Sequence, residues 1–239
     1  MSNDDSSGLI EAVASYTHDP LGFVLFAFPW GVAGTPLADR SGPEGWQCRV
    51  VEEIGKGVEA SDDVIREAVA SGHGVGKSAL VAWILLWGLM TCDDARCAVT
   101  ANTEPQLRTK TWPELLKWFR MAAGREAFVP TATTIHSADP EHKETWRIDM
   151  LTWSEHNREA FAGLHNVGKR IVVVFDEASA RRQSLGGDRG RPDRRQHGNR
   201  VVHLWEFHPK YGPVQGVLRK PSPPLDVQHV DSRMVSFTN

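Results

Sequence analysis

The stretch EAVASGHGVGKSALVAWILLW, residues 67–87, decides the fold. With Arg66 in front, its first residues read as a short strand, REAVASG, that enters a glycine-punctuated turn. Lys77 and Ser78 follow the last glycine, and KSALVAWILLWGLM runs on as an apolar helix. Such a turn aims backbone N–H groups at one point with a helix N-terminus behind them, which is how a phosphate is held. Gly72, Gly74 and Gly76, with Val75 between them, let the backbone come close. Lys77 would reach the outer phosphates of a triphosphate, and the Ser78 hydroxyl would take one Mg²⁺ position. The usual spacing has a first glycine where Ser71 stands; Gly76, Lys77 and Ser78 fit it. A chance Lys-Ser after a glycine-rich turn is the plainer reading, and the strand before and helix after disfavour it.

A second stretch, RIVVVFDEAS (170–179), is an apolar strand ending in two carboxylates. A parallel strand would deliver Asp176 beside the phosphate turn, as a Mg²⁺ carboxylate. Glu177 would be the general base that polarises the water attacking the γ-phosphate. The plainer reading is a solvated acidic turn after a core strand. The 99 residues from Lys77 to Asp176 leave room for intervening strands.

Three further places bear on function. Gln47, after Trp46, offers donor and acceptor to an adenine edge, and reads equally as an ordinary helix-face glutamine. Thr100–Thr103 ends a strand where the crevice of such a sheet lies. Gln106, Arg108 and Lys110 follow as candidate DNA contacts, or as a solvated helix start with Asn102 or Thr103 as its cap.

Around these motifs the chain alternates strand and helix. Residues 1–20 predict a loose N-terminus, LGFVLFAFPWG an apolar segment, and the region from Glu44 a helix. ARCAVTA and TWRIDMLTW predict strands, EPQLRTKTWPELLKWFRMAA an amphipathic helix with Pro113 as a break or a new first turn, and AFAGLHN a loop. The alternation predicts an α/β fold with a mainly parallel sheet. The longest apolar run, ALVAWILLWGLM, has 12 residues and is too short to span a bilayer. Three cysteines, an odd count, argue against a disulfide framework and for a reducing cytoplasm. Cys92 and Cys97 lack a second ligand pair, which disfavours zinc.

Charge is uneven. Residues 181–239 hold 11 of the 27 Lys+Arg and 5 of the 30 Asp+Glu, leaving the first 180 residues acidic. Charge alone therefore does not make the bulk of the chain a polyanion binder.

Taken together, VASGHGVGKSALVAWILLW, AVTANTEPQLRTKTWPELLKW, AFAGLHN and RIVVVFDEAS resemble the ATPase domain of the large terminase subunit of tailed bacteriophages. The resemblance covers about residues 20–180. It implies a P-loop NTPase fold of the RecA-like kind, with an extra strand between the two nucleotide motifs and helices on both faces. It implies ATP and Mg²⁺ as cofactors and a motor that drives double-stranded DNA into a procapsid. The partners would be a portal protein, a small terminase subunit and further copies in a ring, with no membrane. Gln47 matches the adenine-reading glutamine, Lys77 and Ser78 the phosphate and Mg²⁺ ligands, Asp176 the Mg²⁺ carboxylate and Glu177 the catalytic base. The arginine finger is not identified; Arg66 and Arg108 are candidates. The expected organisation is 1–20 flexible, 21–66 an adenine-side segment, 67–180 the ATPase core, 181–229 anomalous and 230–239 a tail. The nuclease domain that the family continues into is absent from these residues. A helicase-like ATPase and a non-enzymatic prophage remnant are the rival readings.

The anomalous segment starts with RRQSLGGDRGRPDRRQHGNR, residues 181–200, which has 7 Arg and one aliphatic residue, Leu185. Its ordinary reading is a basic DNA-binding loop or arm. A shifted reading frame accounts for it better. Read from the second base of each codon, residues 184–219 permit LWEVTEGALTDDNTEIVWF, then GNST or GNFT, then GRFRECF, similar to the family's continuation. The residues after about 180 are accordingly expected to be irregular, leaving the strand of Asp176 with an exposed edge. Resequencing codons 178–232 decides the matter: a sequence without a missing or extra base excludes the shift.

Overall fold

A computed structural model describes residues 3–60, 64–71, 76–101, 103–152, 169–176, 200–207 and 226–230. Helices α1 (Asn3–Ala14), α2 (Pro20–Ala27) and α3 (Gly45–Glu59) precede strand β1 (Val64–Ser71). Helix α4 (Lys77–Met90) leads to β2 (Arg96–Ala101), and a helical run follows: α5 (Glu104–Gln106), a π-helical turn (Leu107–Thr111) and α6 (Trp112–Met121). Then come β3 (Phe128–Pro130), β4 (Thr134–Ser137), β5 (Arg147–Met150), β6 (Ile171–Asp176), β7 (Arg200–Phe207) and β8 (Asp226–Val230).

Helix α4 organises the core. It is apolar on every side, so it is stable only when surrounded. Leu80 through Met90 are all buried. Gly88 lies where α4 crosses the sheet: a Cβ there would sit 2.6 Å from Val172 Cγ2 and 3.3 Å from Cys97 Sγ. The glycine costs helix propensity and lets the helix settle directly on β2 and β6. On its other side Trp83 joins Phe28, Trp30 and Trp118 in a cluster of edge-to-face and tilted rings 5.0–6.4 Å apart. Aromatic pairs in these arrangements add to the stability from area burial alone.

The strands form one sheet in the order β3-β4-β5-β2-β6-β7-β1-β8. Parallel ladders join β2 to β5, β2 to β6 and β1 to β8. The other four ladders are antiparallel, with β4 and β7 running against the rest. The sheet is thus mixed, with six of the eight described strands pointing one way. The large apolar cluster unites α2, α3, α4 and α6 with one face of the sheet. A second, smaller cluster of Ala98, Ile171 and Val173, with Leu151 and Phe175, contains no helical residue. Among the described residues the helices therefore gather on one face, rather than on both as expected.

Two other expectations are corrected. Residues 3–14 form a helix, and Val13 near its end is buried in the core against Gly124. The chain after residue 180 is not wholly irregular, and β6 has no exposed edge: β7 pairs with β6 on one side and β1 on the other. RVVHLWEF is rich in β-branched and aromatic residues, which the arginine content of the preceding segment obscures. One strand does lie between β1 and β6, but it runs antiparallel to both.

Candidate phosphate and cation site

Both motif strands end at the same margin of the sheet. Strand β6 opposes β7, β7 opposes β1, and so β1 and β6 run in the same direction. The register places them level: Phe175 pairs with His203, and His203 with Ala68. Asp176, the last residue of β6, therefore stands close to the level of Ser71, where β1 ends. In open α/β sheets, ligands bind beyond the carboxyl ends of the strands.

Gly76 is the N-cap of α4. Its φ of +88° is left-handed, which favours glycine. A Cβ there would also lie 2.9 Å from Gln47 Nε2. Lys77 opens α4 with 2% exposure, and Ser78 behind it is half-buried. A lysine so deeply placed at a helix N-terminus concentrates positive charge where the helix dipole is also positive. Gly72, Gly74, Val75 and Glu177 lie outside the described residues, as do Asn102 and the AFAGLHN segment.

Gln47 ties two parts of the site together. Its Oε1 accepts from Glu44 N at 2.8 Å, half of a reciprocal capping box at the start of α3. Its Nε2 donates to the carbonyl of Gly76 at 3.0 Å. With 2% exposure, the side chain is an internal bracket between α3 and the glycine turn. Trp46 beside it is buried in the core.

Asp176 is 3% exposed, and its Oδ2 accepts a hydrogen bond from Thr111 Oγ1 at 2.6 Å. Sequence reasoning missed Thr111. Its one signal is a hydroxyl on the buried side of the helical run, between Leu107 and Leu115. The bland reading of the nearby candidates holds for Thr103, whose Oγ1 accepts from Gln106 N as an N-cap. Arg108 is exposed and paired with Glu104 at 2.7 Å, and Lys110 is exposed. The side chain of Arg66 lies outside the described residues.

The donor set suits a hard cation. A serine hydroxyl and an aspartate carboxylate are the one or two protein oxygens Mg²⁺ needs when phosphates and waters supply the rest. Among the described residues no cluster of three His, Cys, Asp or Glu side chains could hold a metal by itself. Cys97 is buried and Cys92 partly so. No described helix is long and apolar enough to cross a membrane.

Fold and site together define an α/β protein with a helix N-terminus, a buried lysine and a buried aspartate gathered at one end of its sheet. Over 160 residues, 65% of the chain, it is 26% identical to a probable large terminase subunit of Enterobacteria phage P7. The chain spans about 30% of the length of that relative. No family model and no solved structure matches it.

Proposed function

We propose that the chain is the nucleotide-hydrolysing part of a phage large-terminase motor, which spends ATP to move double-stranded DNA into a procapsid. The observation that carries this reading is the common end of β1 and β6: the two strands share a direction and a level, Asp176 ends β6, and Lys77 opens the helix that follows β1 in the chain. The distant likeness to a phage large terminase subunit supports it.

In this reading the N–H groups of the glycine turn, Gly72–Gly76, and the Lys77 ammonium bind the phosphates. Ser78 and Asp176 would hold Mg²⁺, which when bound neutralises charge developing on the transferred phosphoryl group. Glu177 takes a proton from the attacking water. Gln47 holds the turn in place and keeps a second amide N–H for the nucleotide base. Duplex DNA, a portal protein, a small terminase subunit and further copies in a ring would be its partners.

The test is ATP hydrolysis by the purified 239-residue chain. Lys77→Ala and Glu177→Gln are each expected to lower the rate about 100-fold or more. Equal rates in the three proteins would sink the catalytic assignment.

A further inference from the structure

The helical run from Glu104 to Met121 is interrupted for a reason. In the π-helical turn the N–H of Trp112 bonds to the carbonyl of Leu107, five residues back. Pro113 follows at once. It has no N–H for the carbonyl of Thr109, four residues earlier, and its ring would press on that carbonyl in a regular helix. One widened turn relieves the clash, and such turns recur at functional sites.

The wide turn has a positional consequence. Leu107, Thr111, Trp112 and Leu115 are all buried. Leu107, Thr111 and Leu115, spaced four apart, share the buried face, and one of the three is polar. Thr111 is that residue. Thr109, on the same turn, spends its hydroxyl on Pro105 O at 2.7 Å, the usual fate of a helical threonine. Thr111 instead donates across 65 residues of sequence to Asp176, with both side chains nearly inaccessible.

We infer that Thr111 is the positioning residue for Asp176. Its hydroxyl fixes the rotation of the carboxylate, so that the remaining lone pairs are offered to a divalent cation in one orientation. The inference rests on the reading of Asp176 as a Mg²⁺ carboxylate. Carboxylates that ligate metals are themselves commonly held by such hydrogen bonds. Pro113 acts one step further back, by enforcing the turn that presents Thr111.

The experiment is a Mn²⁺ titration of the full chain with a non-hydrolysable ATP analogue, followed by electron paramagnetic resonance. Mn²⁺ stands in for Mg²⁺ because both prefer oxygen ligands. Nucleotide affinity in EDTA is measured in parallel. Thr111→Val keeps the shape and removes the donor; Thr111→Ser keeps the donor. Thr111→Val is expected to weaken Mn²⁺ binding about tenfold and leave the metal-free nucleotide affinity unchanged. Thr111→Ser should bind Mn²⁺ much as the wild type does. If Thr111→Val proves unfolded, Pro113→Ala gives the same readout, because a relaxed turn carries the hydroxyl away from Asp176. Wild-type Mn²⁺ affinity in Thr111→Val, or in Pro113→Ala when that variant stands in, would overturn the inference while leaving the nucleotide site intact. Equal losses in Thr111→Val and Thr111→Ser would also overturn it, since packing rather than the hydroxyl would then matter. Failure of the wild type to bind nucleotide at all would remove the underlying reading, and the inference with it.

Discussion

The two ends of the sheet are built differently. At the amino ends of β2, β5 and β6, charged groups answer one another at short range. Asp94 accepts from Thr145, pairs with His142 and lies 4.0 Å from Lys169. Arg147 is held by Asp149 and Glu144, and Arg96 donates to the carbonyl of Glu144. Arg170 donates to Thr91 and Thr17 and lies 4.1 Å from the centre of the Trp87 ring. At the carboxyl ends two of the polar contacts described above join distant parts of the chain: Gln47 to Gly76, and Thr111 to Asp176. One end is knit for stability. The other holds Gln47 and Asp176 in position where the proposed nucleotide would bind. Changes at the two ends should therefore separate stability from binding.

The largest effect on stability is expected at Arg170. It is 5% exposed, and it joins the link between α1 and α2 to the base of β6. Arg170→Ala would remove charge-assisted hydrogen bonds and a cation–π contact, and leave Thr91 Oγ1 buried without its donor. The cost is about 3 kcal/mol of unfolding free energy, to be read from urea denaturation. Nucleotide affinity per folded molecule should stay at the wild-type value. A fall in affinity with unchanged stability would reverse the assignment of the two ends.

Gln47→Ala is expected to do the opposite. It loses half of a capping box and the bond to Gly76, at a cost of about 1 kcal/mol in stability. The released glycine turn must then be ordered by the ligand, and a similar free energy lost on binding is about a fivefold weaker nucleotide affinity. Fluorescence titration with a labelled nucleotide checks it. An unchanged affinity would leave Gln47 a structural bracket only.

How much of this could be read beforehand depended on the range of the interaction. β1, α4, β2 and β6 are legible because each is a run of one period next to a strong signal: a glycine turn, a helix-length apolar stretch, a pair of acids. Residues 3–14 are polar enough to look loose, and the burial of Val13 in the core is a tertiary contact that no local pattern announces. The β3–β4 hairpin consists of strands of three and four residues, too short for alternation to register. The amide of Gln47 is a visible candidate, but its bond to Gly76 spans 29 residues and no local pattern encodes it. Thr111 is the clearest case. Pro113 shows where the helical run breaks, whereas nothing nearby shows that the displaced hydroxyl will meet Asp176. The site is thus legible in its chemistry and illegible in its supports.

The smallest effect belongs to the opposite end and tests it by pH. His142 Nδ1 lies 2.6 Å from Asp94 Oδ1. The hydrogen bond to Asp94, reinforced by its charge, raises the His142 pKa above its ordinary 6.5. The same hydrogen bond, with help from Thr145, lowers the Asp94 pKa below its ordinary 3.8. For the raised histidine the added stability is fully present below pH 6.5 and is lost as pH rises through the higher folded value. For the depressed aspartate it is present above pH 3.8 and is lost as pH falls through the lower folded value. The pair therefore contributes most between those two ordinary values. His142 is a surface residue, so the contribution is small and screened by salt. In thermal melts His142→Ala should fall furthest below the wild type near pH 5 to 6, roughly midway in that window, and converge on it in alkali. A difference in melting temperature that does not vary with pH would mean that the ring acts by its edge-to-face packing on Trp146, 6.4 Å away between ring centres, not by its charge.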